Sequence, residues 1–292
     1  MICLPFPFQR QVLFGELFDT PVAHFAFSDR YDANQTVCRV RRDSDNAETD
    51  VTSSQMGAWL EDWVGAGNNG FLVTWSDLSG SGNNATQSTA GLQAKVVDNG
   101  ALVTSGGRAA ALFNGVDTVL EAPDDASFDA SSNLSVFAIA SHTAEITAGV
   151  KTIVCKYNSG SNQREWLLGV DSSADAIAFY VGSFVGVFFE TVIADTSIDE
   201  TVDRLFGADF DSGVVTLYNN GSSTASTASG SLPSSLVNGA SPIIIGAQAS
   251  GASYSANNYW GGPISEIIVY ASDQTANRAQ IDAYLKSQNG LT

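Results

Sequence analysis

Asn257-Asn258-Tyr259-Trp260-Gly261-Gly262-Pro263-Ile264-Ser265-Glu266-Ile267-Ile268-Val269-Tyr270 is the stretch that decides the fold class. It opens as a polar turn, passes through Gly and Pro, and then alternates. In an extended chain Ile264, Glu266, Ile268 and Tyr270 face one way, and Ser265, Ile267 and Val269 the other. β-Branched residues bounded by Gly and Pro predict a strand. A helix is expected over residues 275–287, capped by Ser272 or Asp273. Ile281, Tyr284 and Leu285 would share one face, and Gly290 would stop it.

Working outward, short strands dominate. Asn114-Gly115 and Asn219-Asn220-Gly221 are tight-turn signals between apolar runs. Residues 209–221 read as a hairpin, residues 242–246 as a buried strand, and residues 222–231 as a Ser/Thr/Ala loop or weak strand. Residues 55–64 carry Met56, Trp59, Leu60 and Trp63 at helical spacing and predict a short amphipathic helix with an apolar face. No solenoid or propeller repeat is visible. The chain therefore divides into an apolar arm over residues 1–22 and one all-β domain over residues 23–292. Phe6, Phe8, Leu13, Phe14, Leu17 and Phe18 make the arm too apolar to stand in water, so it is expected to pack on its own domain or on a neighbour.

Composition narrows the partners. The 31 acidic and 13 basic residues leave a formal net charge of −18. Such a surface disfavours nucleic acid and anionic membranes. Cys3, Cys38 and Cys155 form an odd set without metal-ligand spacing, which argues against a disulfide framework. The first residues lack the pattern of a signal peptide, and no apolar run is long enough to span a bilayer, so synthesis in the cytoplasm without membrane insertion is expected.

Trp260-x-Gly262-x-Ile264-x-Glu266, closed by Tyr270 and a helix, resembles the last strand of laminin-G-like and concanavalin-A-like lectin/glucanase jelly rolls. A second block is sharper. Val40-Arg41-Arg42-x-Ser44-Asp45-Asn46-Ala47-Glu48-x-Asp50, followed by Thr74-Trp75-Ser76-Asp77-Leu78-Ser79-Gly80-Ser81-Gly82-Asn83-Asn84, resembles the amino-terminal part of family 54 α-L-arabinofuranosidase catalytic domains. The block covers about residues 38–120 and is also similar to bacteriophage proteins carrying such a domain. These resemblances imply an all-β, two-sheet concanavalin-A-like jelly-roll sandwich with a short early helix and a carboxyl-terminal helix.

Retaining glycosidases need two carboxyl groups about 5–5.5 Å apart. The arabinofuranosidase resemblance implies a Glu nucleophile near residues 166–172, an Asp acid near residues 245–250, and a vicinal Cys pair. The first stretch holds no Glu, with Asp171 the nearest carboxylate. The second holds no acid, and Cys155 stands alone. No catalytic residue is therefore assigned. Glu266 reads as a structural carboxylate paired with a backbone group or an Arg. His24 and His142 have no Ser or Cys motif beside them.

The sequence instead suggests a non-enzymatic phage virion protein, tail- or fibre-associated or a head-decoration subunit, displaying a lectin-like domain to host-surface glycan. Other virion proteins would dock on the arm, and a homo-oligomer is expected. A glycoside hydrolase or depolymerase, and a purely structural cement protein, are the alternatives. Tyr254, Asn257, Asn258, Tyr259 and Trp260, at a loop–strand junction, are the candidate glycan contacts. Asp43, Asp45 and Asp50 are the residues that would gather Ca²⁺, with a solvated polar turn as the other reading.

Overall fold

The computed structural model describes residues 19–28, 32–183 and 188–291. Most of the expected docking arm, residues 1–18, lies outside them. In chain order the elements are β1 (Ala23–Ala26), β2 (Thr36–Arg42), β3 (Glu48–Thr52), α1 (Ala58–Val64), β4 (Gly70–Trp75), β5 (Ala85–Thr86), β6 (Lys95–Asp98), β7 (Ala111–Asn114), β8 (Leu120–Ala122) and β9 (Asn133–Ala140). There follow β10 (Val150–Asn158), β11 (Gln163–Asp171), β12 (Ala176–Ser183), β13 (Phe188–Ala194), β14 (Arg204–Asp211), β15 (Val214–Asn219), β16 (Ser222–Thr224), β17 (Ser226–Ala228), β18 (Ile243–Ile245), β19 (Gly261–Tyr270) and α2 (Arg278–Gln288).

Two antiparallel sheets face each other. The back sheet runs β16-β15-β14-β9-β19-β1. The front sheet runs β17-β13-β12-β11-β10-β18-β8-β5-β4. They join along one side, where β4 pairs with β2 and β6, β6 with β7, and β7 with the start of β19. This is the expected β-sandwich. Its main core lies between the sheets, with Val136, Phe206, Ile267 and Val269 from the back meeting Val154, Trp166, Phe179 and Ile245 from the front. The outer face of the back sheet is also apolar. Phe137, Leu205, Ile268 and Tyr270 bury Ile281 and Leu285 of α2.

The alternation expected along β19 breaks at one place. Glu266 stands opposite Ile139 and Ile264 opposite Ala140, so Ser265 is an extra residue. Such a bulge shifts the side-chain phase by one. Ile264 consequently joins Ile267 and Val269 in the main core, rather than sharing the face of Ile268 and Tyr270. Other expectations are also adjusted. The last helix begins at Arg278 behind Asn277, because Asp273 spends its carboxylate on the Thr275 backbone N–H and hydroxyl one turn earlier. Residues 53–55 form a 3₁₀ turn before α1, which buries Leu60 and Val64 while Trp59 is 42% exposed. Asn114-Gly115 carries the chain from the back sheet to the front instead of closing a hairpin.

The 209–221 hairpin is as expected. Ser212-Gly213 and Asn220-Gly221 both have positive φ at each turn residue, the pairing that two-residue hairpin loops require.

The motif around Asp77 has a structural task. Asp77 Oδ1 accepts from the backbone N–H groups of His24 and Ser79, and Oδ2 from Asn83 N–H and the Ser79 hydroxyl. Asn83 in turn donates to the Val22 carbonyl and to Ser127 Oγ. The loop thus fastens β1, whose other side pairs with β19. Replacing Asp77 by Ala strands these donors, and unmet buried groups cost about 1–3 kcal/mol each. Asp77→Ala is expected to lower unfolding free energy by roughly 2–4 kcal/mol in urea titrations. A loss below about 0.5 kcal/mol, typical of a neutral surface site, would show that the loop does not hold β1.

Candidate functional site

The front sheet turns a second apolar face away from the main core, and a β-bulge helps create it. Ile153 is an extra residue between the Thr152–Gly169 and Val154–Leu168 pairs. Both Ile153 and Val154 therefore enter the main core, and Val150, Cys155 and Tyr157 all reach the outer face. Leu167 of β11, Tyr180 of β12 and Ile244 of β18 join them there.

An open groove of about 460 Å³ runs over this face. One wall is aromatic. Tyr180 stacks on Phe189 at 5.2 Å with an interplanar angle of 11°, and Tyr157 meets both rings edge-on, at 6.3 and 6.0 Å. Phe189 is 41% exposed, so much of this ring faces water. Apart from Gly149 and Val150, the remainder of the lining is polar, with Ser159, Asp171, Ser172, Ser173, Gln248 and Asn258. Asn258 Nδ2 donates to Gln248 Oε1 at 2.6 Å, and Asn258 Oδ1 accepts from Ser255. Asp171 Oδ1 accepts from the Ser173 backbone N–H and hydroxyl. Burial pushes the Tyr180 phenol up to about 12, with the Asp171 charge adding to it, and burial raises Tyr157 likewise. Both phenols keep their protons at neutral pH and can donate. The groove thus offers stacking surface, amide and hydroxyl groups, and one carboxylate among the described residues.

The loop proposed from sequence is only partly at this groove. Asn258 lines it. Asn257 is exposed, and its carbonyl accepts from Lys151 Nζ at 2.8 Å. Tyr254 donates its hydroxyl to Glu121 Oε1 at 2.8 Å and packs near Tyr259, which is 8% exposed. Trp260 is fully buried in the main core, edge-on to His142 at 5.2 Å and Phe206 at 6.1 Å. It offers no face to a ligand, because its position just ahead of β19 turns the indole inward. The aromatic residues that line the groove are Tyr157, Tyr180 and Phe189.

The carboxylates read as Ca²⁺ candidates are held apart by other partners. Asp43 accepts from the Asn69 backbone and side chain, and Asp50 pairs with Arg39 at 2.9 Å. Asp45 pairs with both ends of the Arg42 fork, which holds its carboxyl down to about 2. Among the described residues no three His, Cys, Asp or Glu side chains converge as a metal-ligand group. Glu266 is structural through other partners than expected. His24 Nε2 lies 2.9 Å from its Oε1, and Asn289 donates to its Oε2 at 2.9 Å, tying β1, β19 and the end of α2 together.

No family model and no curated protein sequence matches this chain. Solved structures do. An arabinofuranosidase complexed with arabinofuranosyl-α-1,2-xylobiose superposes with a TM-score of 0.59 at 16% identity, covering 90% of this chain and 62% of its own. The likeness is one of fold. The binding domain of Paraclostridial Mosquitocidal Protein 1 gives a TM-score of 0.53 at 15% identity, over 72% of this chain and 49% of that one. Domain 4 of AbnA, a GH43 extracellular arabinanase from Geobacillus stearothermophilus in complex with arabinotriose, gives 0.50 at 17% identity, over 71% and 92%. The chain thus spans under two thirds of the arabinofuranosidase. The resemblance read from residues 38–120 extends, as fold, across most of the domain.

The placement of the loop residues is checked by stability. Trp260→Ala is expected to cost about 3–5 kcal/mol, the range for a large aromatic removed from a core. Asn257→Ala is expected to change stability by less than about 0.5 kcal/mol. Equal, small effects in urea titrations would mean that Trp260 is not packed as described.

Proposed function

We propose that this protein binds glycans in the groove on the outer face of the front sheet and does not cleave them. The observation that carries this reading is the lining itself, an aromatic wall that exposes Phe189 and part of Tyr180 beside amides and hydroxyls. Aromatic rings suit the apolar C–H faces of sugars, while amides and hydroxyls satisfy their ring substituents. Fold neighbours bound to arabinofuranosyl-xylobiose and arabinotriose support arabinose-containing oligosaccharides as first probes. Two-step hydrolysis needs a carboxyl pair. Here Asp171 is the lining carboxylate, and residues 245–250 contribute the Gln248 amide where the arabinofuranosidase resemblance calls for an acid.

The biological setting we propose is display on a virion toward host-surface glycan. Its support is the similarity of residues 38–120 to phage proteins with this kind of domain, together with the apolar residues 1–22 as a candidate dock for other virion proteins. Proteomics of purified particles that lacks the chain would remove this setting without touching the groove.

Calorimetry with arabino-oligosaccharides tests the binding reading. Tyr180→Ala and Phe189→Ala are each expected to weaken binding about tenfold, the loss of about 1.4 kcal/mol from one ring contact. No reducing sugar should be released. Release that disappears in Asp171→Ala would replace the binding reading with a hydrolytic one.

A further inference from the structure

Lys156 of β10 points into one end of the main core, where its side chain is fully buried. Nζ lies 2.5 Å from Glu165 Oε1, 2.8 Å from Asp124 Oδ1 and 3.7 Å from Asp129 Oδ1, and also donates to the Gly239 carbonyl. Glu165 is equally buried. Its Oε1 accepts from Gly239 N–H at 2.7 Å, and its Oε2 has no hydrogen-bond partner. Asp129 is held through Oδ2 by the Asn238 amide at 2.9 Å, with Oδ1 buried and unbonded. One buried ammonium thus faces three carboxyl groups, Glu165 fully buried beside it and the Asp124 and Asp129 side chains 36% and 28% exposed.

Two features make this more than an ion pair. Keeping the Lys156 ammonium fully buried is costly, and that cost vanishes if its nitrogen becomes part of a neutral amide, while the partly exposed Asp124 leaves a way out for the water released. The reacting atoms are also close. An amine in hydrogen-bond contact with a carboxyl oxygen has the carboxyl carbon one bond further on, near the reach of about 3–3.5 Å expected of a near-attack arrangement. Burial pushes the Glu165 carboxyl up to about 7 against the pull of Lys156, which suits it to carry protons. Burial opposes charge on Lys156, but its bonds to Asp124 and Glu165 outweigh that and favour the ammonium. A neighbouring proton acceptor is therefore required, and Glu165 is the buried one in contact.

We propose that Lys156 and Asp124 condense to an intramolecular isopeptide bond, with Glu165 relaying protons. Lys156 Nζ gives one proton to Glu165, and the free amine attacks Asp124 Cγ. The tetrahedral adduct loses the second nitrogen proton, and the Asp124 oxygen departs as water with both protons. Ammonium and carboxylate become a secondary amide and one water, and no outside reagent is consumed. The link would tie the segment after β8 to β10 and constrain the unfolded chain as a disulfide does. Cys38 and Cys155 are both free thiols, so neither supplies such a staple. The inference is independent of the glycan reading.

Intact-mass spectrometry of the denatured full chain tests it. The wild type is expected one water lighter than its sequence, about 18 Da. Proteolysis should release one branched peptide joining Lys156 to Asp124. Lys156→Arg, Asp124→Ala and Glu165→Gln are each expected to restore the full mass. Wild-type protein at full mass, with Lys156 and Asp124 in separate unmodified peptides, would overturn the proposal. A link mapped to Asp129 or Glu165 would also overturn it. The wild-type measurement decides even if a variant fails to fold.

Discussion

Burial of β19 on both faces is the constraint on which the rest of the structure depends. One face, Ile264, Ile267 and Val269, closes the core against the front sheet. The other, Ile268 and Tyr270, is covered by Ile281 and Leu285 of α2. Its edges are equally committed, to β9 on one side and to β1 and β7 on the other. A strand buried this way has little freedom of register, because a one-residue slip would exchange its two faces. The Ser265 bulge is where the strand changes phase. Glu266, beside it, is fixed by His24 and Asn289, groups that belong to the two ends of the chain.

The outer face of the front sheet obeys a different economy. Tyr157 and Tyr180 are apolar enough to cover the sheet and yet carry hydroxyls that tolerate water. Among the described residues no helix covers Phe189, whereas α2 covers the opposite sheet. The acidity of the whole chain, at −18, bears on the ligand. It disfavours anionic partners at long range and leaves neutral oligosaccharides unaffected. A groove lined by aromatic rings, amides, hydroxyls and the Asp171 carboxylate is compatible with the neutral oligosaccharide we propose for it.

Much of the fold was legible because its signals are local. The alternation over residues 266–270 and the positive-φ turn at Asn220-Gly221 needed only neighbouring residues. The phase of Ile264 was not legible, since a bulge is set by the partner strand and leaves no mark in alternation. Trp260 misled for a related reason. An aromatic at a loop–strand junction can turn inward or outward, and only packing against Phe206 decides. Tyr157, Tyr180 and Phe189 were hidden among strand residues because both faces of the front sheet are apolar, so the period of two marks a strand without saying which face holds a groove. The partners of Glu266 were out of reach for sequence reasoning, His24 being 242 positions away. The block around Asp77 was recognisable, and its geometry gives it a structural task in the shared scaffold.

The central claim is that the outer face of the front sheet is where a sugar sits. The most direct measurement is a crystal structure with an arabino-oligosaccharide soaked into the groove. The account predicts a sugar ring laid on the exposed face of Phe189 or Tyr180, with its hydroxyls on Gln248, Asn258 or Asp171. A sugar seated at Tyr254 and Asn257 with this groove empty would contradict it.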